Sequence, residues 1–216
     1  MVEKAILKFV ALGDSLTYGY QTRSIFQPGG RALPYTEFLK AMLPYELQDR
    51  KMGHVEIVFE NAGVPGDTVR GMLARLDAHV ASLEPDYVIV WGGINDLFSL
   101  RKPGEVLDDL GQIYGKSRAA GAEPIACTVT PVLGYDRMVP LITELNDMIK
   151  GHCERQGVPL IDLFEATSDG WGRLRENFSE DGVHLTGSGY RRVAEAVGEV
   201  VLELMSERLR AASDGA

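Results

Sequence analysis

Residues 6–19 are Ile-Leu-Lys-Phe-Val-Ala-Leu-Gly-Asp-Ser-Leu-Thr-Tyr-Gly, and this stretch decides the fold. Ile6–Leu12 is short, apolar and interrupted by one charge, which predicts a buried β-strand that ends in a turn at Gly13. Ser15 follows at the carboxyl end of that strand. A serine in this position is well placed to act as a nucleophile, but a serine that caps the next helix has the same local sequence. The stretch by itself leaves both interpretations of Ser15 open.

Apolar runs and helical periodicity alternate along the rest of the chain. Four further runs predict buried strands: Val55–Glu60, Tyr87–Trp91, Pro124–Thr128 and Pro159–Ile161. Helical periodicity extends over Tyr35–Leu43, Val69–Leu83, Val106–Ala120, Leu141–Gln156 and Gly187–Ala211. This alternation predicts the α/β class, with one parallel sheet that helices cover on both faces. We expect a single domain over residues 1–216, with a frayed tail at 211–216. The longest irregular segment, Tyr20–Pro34, follows the first strand, at the edge where α/β proteins bind ligands.

Composition and charge argue against several classes of function. The 216 residues include 22 Lys and Arg against 31 Asp and Glu, which gives a formal net charge of −9. This charge repels phosphate backbones, so nucleic acid is not an expected partner. No apolar run approaches the roughly 20 residues that cross a bilayer, and Lys8 interrupts the N-terminal run. We therefore expect no integral membrane segment, no cleaved leader and a cytoplasmic location. Cys127 and Cys153 predict two reduced thiols and no disulfide framework.

One of the four histidines has a setting that suits catalysis. The other three occupy ordinary strand or helix positions: His54, His79 and His152. His184 lies in a loop just before the last predicted helix, and Asp181 precedes it by three residues. Because Gly182 lets this loop turn, the carboxylate of Asp181 can reach Nδ1 of the imidazole. Nε2 is then free to take the proton of Ser15, and the carboxylate stabilises the imidazolium that forms.

Two glycine-containing loops are candidates to supply hydrogen-bond donors to an oxyanion. Residues 61–68, Asn-Ala-Gly-Val-Pro-Gly-Asp-Thr, follow the second strand, and their glycines permit a close approach of the backbone. Residues 91–96, Trp-Gly-Gly-Ile-Asn-Asp, follow the third strand, where Asn95 offers an amide N–H. Each loop alone is also typical of an ordinary turn. Because parallel strands end at one edge of a sheet, we expect both loops, Ser15 and the Asp181–His184 loop to converge there.

The four motifs together resemble the SGNH hydrolase superfamily, also called the GDSL family of esterases and lipases. Gly13–Leu16 is similar to the first block of that family, and Gly66 occupies the position of its oxyanion glycine. Gly93–Asp96 is similar to the block that carries its oxyanion asparagine, and Asp181–His184 to its terminal Asp-x-x-His. The blocks occur in the family's order and span most of the chain.

The resemblance implies a three-layer, flavodoxin-like sandwich with five parallel strands in the order 2-1-3-4-5. It also implies hydrolysis of carboxylic esters, including short-chain or acetyl esters, lysophospholipids and thioesters, through an acyl-enzyme without a metal or other cofactor. Ser15 would be the nucleophile and would also donate its backbone N–H to the oxyanion. Gly66 would donate its backbone N–H and Asn95 its side-chain amide. His184 would act as the base and then as the acid, with Asp181 orienting its ring.

Other interpretations fit parts of the same pattern. The triad also serves acyl transfer to a sugar or another alcohol, and the motifs do not distinguish this reaction from hydrolysis. A non-enzymatic, flavodoxin-like binding module is disfavoured because the chain has no Gly-x-x-x-x-Gly-Lys-[Ser/Thr] loop. An α/β-hydrolase is disfavoured because Thr17 stands where Gly-x-Ser-x-Gly needs its last glycine. Gly63 is a second candidate for the glycine donor and ranks below Gly66.

The motifs indicate a small-molecule ester as the partner but do not identify it. The loops that would line an acyl pocket are Tyr18–Phe26, Leu97–Leu100 and Thr130–Met138, and the last of these is equally typical of an ordinary connection. For Asp14 and Asp96, which lie inside the family blocks, we predict structural hydrogen bonds and no proton transfer. The sequence carries no indication of the oligomeric state.

Overall fold

The computed structural model describes residues 5–22 and 32–214, including their side chains except those of residues 209 and 211–214. Its strands are β1 (Ala5–Gly13), β2 (Val55–Gly63), β3 (Tyr87–Trp91), β4 (Glu123–Cys127) and β5 (Leu160–Ile161). Its α-helices are α1 (Ser15–Tyr18), α2 (Tyr35–Asp49), α3 (Val69–His79), α4 (Ile94–Phe98), α5 (Pro103–Ala119), α6 (Val139–Gln156), α7 (Leu163–Thr167) and α8 (Gly187–Asp214).

Within the described residues, the strands form one sheet in the order β2-β1-β3-β4-β5, and every neighbouring pair is parallel. This confirms the predicted α/β class and the strand order that the resemblance implied. Parallel neighbours need a connection that carries the chain back along the sheet, and the helices between the strands provide it. The carboxyl ends of β1, β2 and β3 consequently lie side by side.

The two central strands are buried on both faces of the sheet. Phe9–Leu12 in β1 and Val88–Val90 in β3 are completely inaccessible to solvent. Their sequences are continuously apolar because helices cover both faces, so no alternation with polar residues is needed. The helices pack in two groups, α2 with α8, and α5 with both α3 and α6. Phe9 stacks on Tyr87 with 4.6 Å between ring centroids, which joins β1 to β3 through side chains as well as through the backbone.

Strand β2 is longer than predicted. Asn61 to Gly63, expected to begin the loop after the strand, pair in parallel register with Ala11–Gly13 of β1. The strand continues because β1 also extends to Gly13 and offers backbone partners, whereas Asn and Gly carry little strand propensity of their own. The loop after β2 is therefore residues 64–68, and it ends at Thr68, whose side chain caps α3.

Three helices depart from the prediction, and proline positions explain two of the departures. Helix α5 begins at Pro103 and α6 at Val139, each before its predicted start, with a proline in the first turn. Proline fits there because the first turn of a helix has no internal acceptor for its N–H groups. Helix α2 continues through Pro44 to Asp49. Its buried Leu47 keeps the additional turn packed on the core.

The last helix, α8, continues to Asp214, three residues beyond its predicted end. The expected fraying of 211–216 remains a prediction, because residues 215–216 and the side chains of 211–214 lie outside the described part. None of the helices in the described part is long and apolar enough to cross a membrane.

Candidate active site

Ser15 is the first residue of α1 and follows directly on the turn that ends β1. The N-cap of this helix is Asp14, whose carboxylate accepts the N–H of Leu16 at 2.8 Å. The capping role that the sequence also allowed for Ser15 therefore belongs to Asp14. Ser15 is 7% exposed, and its Oγ lies 3.0 Å from Nε2 of His184. The turn needs Gly13, because a Cβ at that position would overlap atoms of α1 and β3.

Asp181 and His184 meet within the loop that precedes α8. Nδ1 of His184 lies 2.7 Å from Oδ2 of Asp181, and Gly182 turns the loop with a φ of +85°. With the Nδ1 proton directed at the carboxylate, Nε2 is left as an acceptor for the hydroxyl of Ser15. Partial burial opposes ionisation of Asp181, but hydrogen bonds from the His184 side chain and from the backbone of Val183 and His184 outweigh it and lower its pKa to about 2. Asp181 is therefore ionised at neutral pH.

Ser179 organises this loop from within. Its Oγ donates to the carbonyl oxygen of His184 at 2.7 Å and accepts the N–H of Gly182 at 2.9 Å. The N–H of Leu133 in turn donates to the carbonyl of Gly182 at 2.9 Å, which ties the loop to the segment before α6. The sequence analysis did not identify Ser179. A serine two residues before a turn-forming Asp-Gly pair is the local signal that points to such a role.

Gly66, the glycine of the predicted oxyanion motif, lies in the turn after β2, where it is exposed and has a φ of +79°. Among the residues that the structure describes, neither its N–H nor that of Ser15 has a hydrogen-bond acceptor. The N–H of Gly63, the lower-ranked candidate, instead donates to Oδ1 of Asn61 at 2.9 Å. Within the described part of the chain, the N–H of Gly66 is thus unpaired whereas that of Gly63 is not.

Asn95 lies in the first turn of α4, with its amide held between two other segments of the site. Its Nδ2 donates to the carbonyl oxygen of Asp67 at 2.9 Å and lies 3.4 Å from Oδ2 of Asp14. Asp67 is fixed by an ion pair with Arg75, with 2.7 Å between the charged atoms. The structure therefore brings the Asn95 amide to the edge where β1 and β2 end.

Asp96, the neighbour of Asn95, is completely buried and has structural partners. It accepts the N–H of Val69 at 2.9 Å and pairs with Arg101 at 2.7 Å. Arg101 also pairs with Asp109 of α5 at 2.7 Å. These contacts connect α4 to α3 and α5, in agreement with the structural role predicted for Asp96.

Two of the loops predicted to line an acyl pocket meet at an aromatic pair. The rings of Phe98 and Tyr135 contact edge to face at 5.3 Å, beside a cavity of about 410 Å³ lined by Phe98 and residues 134–138. The third predicted loop, Tyr18–Phe26, lies outside the described residues beyond position 22. At that position, Thr22 donates to Oδ2 of Asp181 at 3.0 Å, a contact that the sequence analysis did not identify.

Similar proteins are known among both curated sequences and solved structures. Thioesterase 1/protease 1/lysophospholipase L1 of Escherichia coli K12 is 31% identical over 126 residues, which cover 58% of this chain and only 52% of that protein, about half of its length. The arylesterase of Vibrio mimicus is 22% identical over 197 residues, which cover 91% of this chain and 88% of that protein. LAE5, an alpha/beta hydrolase enzyme from the metagenome of Lake Arreo in Spain, is 25% identical and has a TM-score of 0.72. The superposed residues cover 91% of this chain and 95% of the LAE5 chain.

The match to a family model extends over most of the chain. The model of the GDSL-like Lipase/Acylhydrolase family matches residues 11–192, which run from β1 into α8. This span contains all the motifs on which the resemblance was based, from Gly13–Leu16 to Asp181–His184. The chain belongs to the GDSL-like lipase/acylhydrolase family.

Proposed function

We propose that this protein is a serine hydrolase that cleaves carboxylic esters through an acyl-enzyme on Ser15. The proposal rests on two consecutive hydrogen bonds that connect the side chains of Ser15, His184 and Asp181. Ser15 Oγ lies 3.0 Å from Nε2 of His184, and Nδ1 of the same ring lies 2.7 Å from Oδ2 of Asp181. Both distances are within hydrogen-bond reach for a nucleophile, its base and the group that orients the base.

The reaction has two halves on the same triad. Ser15 Oγ attacks the carbonyl carbon of the ester while Nε2 of His184 takes its proton, and the carbonyl electron pair moves onto oxygen. When this intermediate collapses, the bond to the leaving oxygen or sulfur breaks and His184 returns the proton to it. Water then attacks the acyl-enzyme, again losing a proton to His184, and the acid leaves as Ser15 regains its proton. The charge of Asp181 stabilises the imidazolium in both halves.

Three donors would stabilise the oxyanion. Two are the backbone N–H groups of Ser15 and Gly66, which have no acceptor within the described part of the chain. The third is the amide of Asn95, one of whose hydrogens is engaged by Asp67 at 2.9 Å while its contact with Asp14 is long at 3.4 Å. An oxyanion would compete with Asp14 for the second hydrogen of this amide. Donors fixed in advance in this way cost little reorganisation as charge develops in the transition state.

The substrate class that we propose is an acyl ester or thioester. The partly exposed rings of Phe98 and Tyr135 provide an apolar surface on which an acyl chain can lie. The Escherichia coli relative is named a thioesterase and lysophospholipase, and the Vibrio mimicus relative an arylesterase. We therefore include acyl thioesters, lysophospholipids and aryl esters with simple carboxylic esters in the proposed class.

The test compares the wild type with Ser15→Ala on p-nitrophenyl esters of increasing chain length, an acyl-CoA and a lysophospholipid. Ser82→Ala is the matched control, because Ser82 is exposed and its hydroxyl bonds, among the described residues, only to the carbonyl of Ala78. We expect Ser15→Ala to lose at least about 1000-fold in kcat, and the control to lose nothing. Labelling with a fluorophosphonate, followed by intact-mass measurement, should modify the wild type and the control but not Ser15→Ala. A Ser15→Ala protein that keeps the wild-type rate would overturn the proposal.

A further inference from the structure

The short segment Tyr20–Thr22, which follows α1, is fixed against the triad from two sides. The N–H of Tyr20 donates to the carbonyl of Ser15 at 2.9 Å, and its own carbonyl accepts the hydroxyl of Tyr190 at 2.7 Å. Tyr190 is fully buried in α8, so it is a rigid anchor. The ring of Tyr20 also lies edge to face with the imidazole of His184, with 4.6 Å between centroids. The position of Thr22 is therefore set by the same elements that hold the catalytic residues.

The hydroxyl of Thr22 reaches the catalytic carboxylate at the oxygen that faces the histidine. Its Oγ1 donates to Oδ2 of Asp181 at 3.0 Å, and this oxygen also accepts Nδ1–H of His184 at 2.7 Å. The other oxygen, Oδ1, is occupied by the backbone N–H groups of Val183 and His184 at 2.9 and 2.8 Å. Among the described residues, Thr22 thus donates from outside the Asp181–His184 loop to Oδ2, the oxygen that contacts the imidazole.

We infer that Thr22 is a positioning residue for the triad, an inference that rests on the function proposed above. Its hydrogen bond holds the carboxylate so that Oδ2 faces Nδ1 of His184, because rotation about the Asp181 side chain would break that bond. The same bond draws negative charge from Oδ2, which limits how strongly Asp181 stabilises the imidazolium relative to the neutral ring. Thr22 would therefore influence both the orientation of the base and the pH range in which the base is active.

The experiment compares Thr22→Val, which keeps the branched shape without the donor, with Thr22→Ser, which keeps the donor. We expect Thr22→Val to lower kcat about 10-fold with KM changed less than about two-fold, since a hydrogen bond to a charged group is lost. We also expect the acidic limb of its kcat/KM profile to move to higher pH. Without the hydrogen bond from residue 22, the carboxylate of Asp181 favours the imidazolium more strongly. Thr22→Ser should retain both the rate and the profile of the wild type.

The outcomes separate this inference from the proposed function. If Thr22→Val keeps the kcat and the acidic limb of the wild type, Thr22 has no positioning role. If both variants lose rate equally at every pH, the residue contributes only to packing and the inference is again wrong. Should Thr22→Val fail to fold by circular dichroism, Thr22→Ala serves in its place with the same expected results. Activity that persists in Ser15→Ala contradicts the proposed function itself. If Ser15→Ala is inactive and Thr22→Val keeps the kcat and pH profile of the wild type, only this inference is contradicted.

Discussion

Asp14, the N-cap of α1 and the neighbour of Ser15, is a buried carboxyl group. Burial raises its pKa to about 7, and the charges of Asp67 and Asp96 contribute to the rise, although the hydrogen bond from Leu16 opposes it. Between about pH 4 and pH 7 the folded protein therefore holds a proton at Asp14 that the unfolded chain has released. The contribution of Asp14 to stability falls as the pH rises through this range, because at this group the folded state binds more protons than the unfolded state.

The corresponding prediction concerns Asp14→Asn, which cannot titrate and still caps α1 well. The wild type should lose stability relative to this variant as the pH rises from 4 to 7, by at most about 4 kcal/mol. Urea unfolding at several pH values measures the difference, with Asp77→Asn on the exposed side of α3 as the control. If the free energies of unfolding of the wild type and of Asp14→Asn change in parallel with pH, Asp14 does not hold a proton in this range.

Asn95 is the side chain whose removal tests the proposed oxyanion site most directly. Asn95→Ala should lower kcat on a short p-nitrophenyl ester about 100- to 1000-fold, since one preorganised donor is lost from the transition state. KM should change little, because the donor binds charge that the ground state lacks. Asn177→Ala, at an exposed position of the same residue type, should retain the wild-type rate. A loss below about 10-fold in Asn95→Ala would remove Asn95 from the proposed oxyanion site.

At the scale of elements, α4 carries Asn95 but has only five residues, so its position depends on neighbours. Arg101 provides the connection, because its guanidinium pairs with the fully buried Asp96 and with Asp109 of α5. A short helix has little stability of its own, and packing and side-chain contacts must hold it in place. We therefore expect the orientation of the Asn95 amide to depend on an ion pair outside the site.

Arg101→Met should destabilise the protein by about 3 kcal/mol, since it leaves the buried charge of Asp96 without its partner. It should also reduce kcat, because α4 loses its link to α5 through Arg101. Lys40→Met is the matched control: it breaks the exposed ion pair with Glu37 and should cost less than about 1 kcal/mol. Chemical denaturation and the ester assay measure the two effects. Equal stabilities of the two variants would show that the Arg101 network does not hold α4.

At the scale of the whole molecule, the site exists because segments far apart in the chain end at one edge of the sheet. Ser15 follows β1, Gly66 follows β2, Asn95 follows β3, and the Asp181–His184 loop precedes α8. The aromatic pair of Phe98 and Tyr135 lies in the same group of loops, joined to the histidine loop through the Leu133–Gly182 hydrogen bond. The parallel sheet thus positions the proposed catalytic groups and an apolar surface in one group of loops.

Tyr135→Ala should consequently affect long acyl chains more than short ones. We expect kcat/KM on p-nitrophenyl octanoate to fall about five-fold, because roughly 1 kcal/mol of apolar contact is removed, and kcat/KM on the acetate to change by less than about two-fold. Tyr45→Ala, an exposed tyrosine on α2, is the control and should leave both rates unchanged. An equal loss on both esters in Tyr135→Ala would mean that the aromatic pair does not contact the acyl chain.

The sequence by itself determined the fold class, the central strands and the motifs that carry the candidate site. These features rest on residues close together in the chain, such as the apolar run of β1 or the three-residue spacing of Asp181 and His184, so periodicity and local turn chemistry predict them. The strand order was implied by the resemblance to the family, and the structure confirmed it. The roles of Ser15, Gly66 and Asn95 rest on the same resemblance and remain proposals.

Only the tertiary structure decided which groups meet across the chain. It extended β2 to Gly63 because β1 lies beside it, and it gave the capping role to Asp14 and not to Ser15. It also brought Thr22 to Asp181 across 159 positions of sequence. Such contacts arise from the alignment of parallel strands and the packing of helices upon them, and no local pattern of residues encodes a distance between segments that meet only after the sheet has formed.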